Sequence, residues 1–90
     1  MKKIRKHYIF KGWVQGVGFR YSAQYIARSL GLTGWVKNEW DGSVVMEAQG
    51  DEASLDLLVE KLINRRYVRI EQLIQSTIPL EEEREFQVKY

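Results

Sequence analysis

Two strand–helix–strand patterns in succession, joined by a hairpin signal at Asp41-Gly42, predict an α+β fold. The architecture is a ferredoxin-like βαββαβ sandwich: two helices on one face of an antiparallel sheet, plus a short C-terminal strand. Three observations carry this reading. Aromatic and β-branched residues alternate near the N-terminus, two later stretches repeat apolar residues every three or four positions, and Gly or Pro marks the changes of rhythm. Ninety residues suffice for one domain, 1–90, with one core.

The first strand spans about residues 4–13, with Tyr8 and Phe10 on one alternating face and His7 and Ile9 on the other. The stretch Gly12-Trp13-Val14-Gln15-Gly16-Val17-Gly18 reads as a turn, its three glycines permitting conformations that other residues resist. From Phe19, the apolar positions Phe19, Ala23, Ile26, Ala27 and Leu30 form one helical face, and Gly31 suits a C-cap. Tyr21 and Tyr25 fall on another face as packing or rim residues. Residues 34–40 read as the second strand and 43–49 as the third, with Asp41 serving the turn between them. Gly50-Asp51 breaks the third strand, and Asp51 or Ser54 caps the second helix. That helix places Leu55, Leu58, Val59, Leu62 and Ile63 at core spacing and runs to about Asn64. The fourth strand covers about residues 68–77, with Val68, Ile70 and Ile74 on one face. Pro79 closes it, and Phe86, Val88 and Tyr90 alternate as the final strand.

Composition removes several chemistries. No cysteine is present, which excludes a disulfide framework, a thiolate nucleophile and a zinc–cysteine cluster. No His/Asp/Glu cluster has metal-ligand spacing, and the single histidine, His7, lies mid-strand as a structural residue. The formal charge is only +2. Lys2, Lys3, Arg5 and Lys6 crowd one end and Glu81, Glu82, Glu83 and Glu85 a later loop; both clusters read as solvated. No apolar run approaches a membrane span, and Lys11 with the glycines interrupts any signal-peptide core. The expectation is a soluble, unprocessed, cytoplasmic protein.

Arg20 is the anomaly. It falls in the first turn of the first helix, where the dipole disfavours a cation, yet no acid precedes it and the next one is Glu39. An external anion resolves this: a phosphate or carboxylate fits an arginine fork together with free main-chain N–H groups at a helix start. A right-handed crossover makes the first two strands run the same way, so the glycine turn and Asn38 share one sheet edge. The third strand lies between them, a gap of roughly 10 Å. An anion cradle, an arginine and a carboxamide, without a Walker-type lysine, suit a substrate with a good leaving group. A mixed carboxylic–phosphoric anhydride is such a substrate. Arg20 would neutralise the phosphoryl oxygens and Asn38 would orient the attacking water. Trp13 and Trp40 are packing or rim residues that can shape the mouth of the site.

The stretch Gly12 to Arg20 resembles the acylphosphatase signature, G-x-V-Q-G-V-x-F-R. Gly34-Trp35-Val36-Lys37-Asn38-Glu39-Trp40-Asp41-Gly42-Ser43-Val44 resembles that family's second block, G-x-V-x-N-x-x-D-G-x-V. The resemblance covers essentially the whole chain. It implies hydrolysis of acyl phosphates to carboxylate and inorganic phosphate without cofactor, metal or covalent intermediate. Arg20 would bind phosphate, Asn38 would position water, and the N–H groups of Gln15, Gly16, Val17, Gly18 and Phe19 would form the cradle. Inorganic phosphate would be both product and competitive inhibitor, and the protein a monomer with no nucleic-acid or membrane partner. Two departures stand out: Trp13 where the family commonly has arginine, and Asn64-Arg65-Arg66-Tyr67 where a Gly-Pro pair often follows the second helix. Other readings are a carbamoyl-phosphate-hydrolysing domain, a non-catalytic anion binder, or an RNA-binding module that stacks bases on Tyr8 and Phe10.

Overall fold

The alternation near the N-terminus becomes strand β1, Lys3–Trp13, in the computed structural model, which describes residues 2–90. Helix α1, Phe19–Ser29, follows, then β2, Thr33–Asn38, and β3, Val44–Asp51. Helix α2, Glu52–Ile63, leads to β4, Arg69–Ile78, and β5, Phe86–Lys89. The strands form one sheet in the order β4-β1-β3-β2-β5. The first four strands pair antiparallel as expected, but β5 joins β2 in parallel, so the sheet is mixed. Connectivity explains the difference. Residues 79–85 leave β4 at one edge and cross to the other, entering β5 at the end where β2 also begins.

Period-two alternation sends Tyr8, Phe10, Val36, Val44, Met46 and Ala48 beneath the helices, where they are buried. Phe19, Ala23 and Ala27 of α1 and Leu55, Leu58 and Leu62 of α2 close this core from above. The Phe10 and Phe19 rings meet edge-to-face with centroids 5.0 Å apart. Burial of Tyr8 and Phe10 removes the stacking surface that an RNA-binding reading needs. Ile63, expected in the core, is exposed at the last turn of α2. Asp51 takes the N-cap of that helix in an extended conformation, without a side-chain cap bond, and Ser54 lies inside the helix.

The expected face of the fourth strand changes partway along it. Gly12 pairs with Ile70 but Lys11 pairs with Gln72, so Glu71 is an extra residue in a bulge. Beyond it the side-chain parity flips. Val68, Ile70 and Leu73 pack on the core, while Ile74 is exposed. Gly12 therefore belongs to β1, opposite the bulge, rather than to the turn. Its φ is 131°, and a Cβ there would lie 2.1 Å from the Arg69 carbonyl oxygen.

The open face of the sheet holds a second departure. Arg5 is fully buried rather than solvated. Its guanidinium lies 2.9 Å from Glu47 Oε1 and donates to both carboxylate oxygens of Glu83 in the 79–85 crossing. His7 Nδ1 lies 2.9 Å from the other Glu47 oxygen. Gln49 ties the same crossing down by donating to the Glu81 carbonyl and accepting from the Glu81 N–H. Removing one partner of a buried pair leaves the other charge uncompensated. Arg5→Ala is therefore expected to cost about 3–5 kcal/mol in urea unfolding. Burial alone would raise the Glu47 carboxyl, but hydrogen bonds from His7 and Arg5 hold it below its ordinary value. The stabilisation is thus present above about pH 4.5 and is lost as pH falls through the lower native value.

Candidate active site

Between the end of β1 and the start of α1, the chain turns through Gly16 and Gly18, at φ 75° and 74°. Such left-handed angles suit residues without a Cβ. Gly18 is the N-cap of α1; no side chain caps the helix, and its first turn holds no acid. None of the N–H groups of Gln15, Gly16, Val17, Gly18 or Phe19 donates a hydrogen bond to another described residue. Five donors at the positive end of a helix are therefore free for an anion.

A cavity of about 180 Å³ opens onto this turn, lined among others by Gln15, Gly16, Gly18, Phe19, Arg20 and Asn38. Residues from the ends of β1 and β2 and from the first turn of α1 are thus brought to one place. Val17 is the exception among the expected cradle residues: its side chain packs against the core, leaving only its main chain for the cradle. Asn38 Oδ1 is buried and has no hydrogen-bond partner. An orphaned buried acceptor costs about 1–3 kcal/mol, and such a group needs a reason.

Arg20 is held from outside its helix. Its Nη1 donates to the Lys89 carbonyl at 3.3 Å, and its guanidinium lies 4.9 Å from the centre of the Tyr90 ring. The Tyr90 hydroxyl meets that of Tyr21. The parallel course of β5 is what brings these groups to α1. The Gln15 side chain supplies a second tie, donating to the carbonyls of Glu39 at 2.7 Å and Ser43 at 2.8 Å. It joins the cradle to the β2–β3 turn beside Asn38. Both ties were missed by sequence reasoning, because contacts across 24 to 69 residues leave no periodic or spacing signal. In that turn, Asp41 Oδ1 accepts from the Ser43 hydroxyl and N–H, which hold its carboxyl below the ordinary value. Asp41 thus serves the turn, as expected.

Two larger depressions, of about 470 and 610 Å³, border the 79–85 crossing. Glu81, Glu82, Glu83 and Glu85 line them together with Lys3, Arg84 and Lys89, so neither offers the unopposed cation of the smaller cavity. Among the described residues, no cluster of three His, Cys, Asp or Glu side chains is arranged to hold a metal ion.

The sequence profile of the acylphosphatase family matches residues 6–88. The chain belongs to the acylphosphatase family. An acylphosphatase of Bifidobacterium longum is 44% identical over 81 residues, covering 89% of this chain and 84% of that protein. Another, of Geobacillus thermodenitrificans, is 40% identical and covers 100% of this chain and 96% of its own length. The crystal structure of acylphosphatase from Bacillus subtilis superposes with a TM-score of 0.91 at 36% identity. That match covers 97% of this chain and 99% of the other. The acylphosphatase fold thus extends through β5, the strand that carries the Arg20 contacts.

Proposed function

We propose that this chain hydrolyses acyl phosphates to a carboxylate and inorganic phosphate. Arg20 and the N–H groups of residues 15–19 hold the phosphoryl oxygens, and Asn38 Oδ1 accepts a hydrogen bond from the attacking water. The water oxygen forms a bond to phosphorus as the bond from phosphorus to the acyl oxygen breaks. The carboxylate leaves with that electron pair, and the proton from water passes to phosphate or solvent. A carboxylate is a weak base, so its departure needs little protonation, and no general acid, metal or cofactor enters the scheme. The observation that carries the reading is the buried, unpartnered Asn38 Oδ1 in the same cavity as Arg20. Family membership supports the substrate class. The reading includes a monomer acting in the cytoplasm.

The test is steady-state hydrolysis of acetyl phosphate by the folded protein in excess chelator. Turnover is expected to persist, with inorganic phosphate a competitive inhibitor. Inactivity of a folded sample, or activity restored only by added metal, overturns the scheme.

A further inference from the structure

The strand order fixes where the leaving group goes. Asn38 ends β2, the cradle follows β1, and the loop of residues 64–68 precedes β4, all at one end of the sheet. Because β4 and β2 lie on opposite sides of β1, the 64–68 loop and Asn38 flank the cradle from opposite sides. In-line displacement places the leaving oxygen opposite the attacking water. Water held at Asn38 therefore sends the acyl group toward the β4 side.

Two exposed aromatics stand on that side. Trp13, the last residue of β1, is 71% exposed and pairs with Arg69 at the start of β4. Tyr67 is 75% exposed and has a left-handed φ of 72°. Left-handed backbone is uncommon for a bulky non-glycine residue and marks a place where structure over-determines the chain. The Arg66 guanidinium lies 5.5 Å from the Tyr67 ring centre, and Arg69 is exposed. Arg65 leaves its buried Nε without a partner, and no Asp or Glu occurs between Lys61 and Ile70. The loop thus offers flat apolar surface and uncompensated positive charge at the same end of the sheet as the cradle.

We propose that Trp13, Arg66, Tyr67 and Arg69 form the subsite for the acyl part of the substrate, selecting a planar acyl group with a second, distal anion. The aromatic faces take the planar body and the arginines take the distal charge. This inference rests on the hydrolysis proposed above, and its test separates the two.

Initial rates are compared for acetyl phosphate, benzoyl phosphate and 3-carboxybenzoyl phosphate. The proteins are wild type, Trp13→Ala and Arg66→Ala/Arg69→Ala. All three replaced side chains are exposed and lie outside the cradle. The double variant is expected to lose about fivefold in kcat/KM for 3-carboxybenzoyl phosphate alone, the scale of one solvent-exposed ion pair. Trp13→Ala is expected to lose about fivefold for both aromatic acyl phosphates, the scale of one aromatic contact. Unchanged acetyl phosphate turnover in each variant reports an intact cradle. Equal discrimination by all three proteins, with acetyl phosphate still hydrolysed, overturns the subsite alone. A folded wild type inactive toward every acyl phosphate overturns the hydrolysis and the subsite together.

Discussion

Arg20→Ala is expected to lower kcat/KM for acetyl phosphate by about 10³-fold or more, the scale on which a lone arginine stabilises a transferring phosphoryl group. The same change should abolish the rise in melting temperature expected from inorganic phosphate in the wild type. Both effects follow from one geometry. The guanidinium is the cation among the side chains lining the cavity, and it is aimed there by the Lys89 carbonyl and the Tyr90 ring rather than by its own helix. Arg20→Lys should recover little, because an ammonium on a flexible stem cannot reproduce a planar fork held at both carbonyl and ring. Phosphate-dependent stabilisation surviving in Arg20→Ala would show that the main-chain cradle binds without the arginine.

Asn38→Ala should behave differently. Turnover is expected to fall about 10²-fold, the scale of losing a positioned reactant. Competitive inhibition by phosphate should persist, since the cradle and Arg20 remain. Stability supplies an independent check. The Oδ1 is buried without a partner, so its removal relieves an unsatisfied acceptor worth about 1–3 kcal/mol. The variant should therefore unfold at the same urea concentration as wild type or a higher one. A catalytic loss accompanied by lower stability would instead assign Asn38 a structural role in β2.

The elements that place this site were legible where local chemistry decides them. Period-two alternation located β1, the three-and-four spacing of Phe19, Ala23 and Ala27 located α1, and Asp41-Gly42 located the hairpin. Arg20 stood out because a cation at a helix start contradicts the dipole. The misreadings have a common physical origin in long-range pairing. The bulge opposite Gly12 reverses the parity of β4, which exposes Ile74, and no local pattern announces it. Arg5 reads as a surface residue until Glu83, 78 positions later, is laid across it. The Gln15 and Tyr90 contacts were hidden for the same reason. The residues that meet at the cavity were more legible than the struts that hold them.

The crossing of residues 79–85 also sets an order of assembly. Of the four strand pairings, only β2 with β3 joins neighbours along the chain; β1 must find β4 and β2 must find β5 across most of its length. Such separated pairings make folding slow relative to locally connected domains. The cradle lies early in the sequence, yet the carbonyl and ring that hold Arg20 come from Lys89, 69 positions later, and its neighbour Tyr90. During synthesis, the glycine turn therefore emerges from the ribosome well before the groups that hold Arg20 in place.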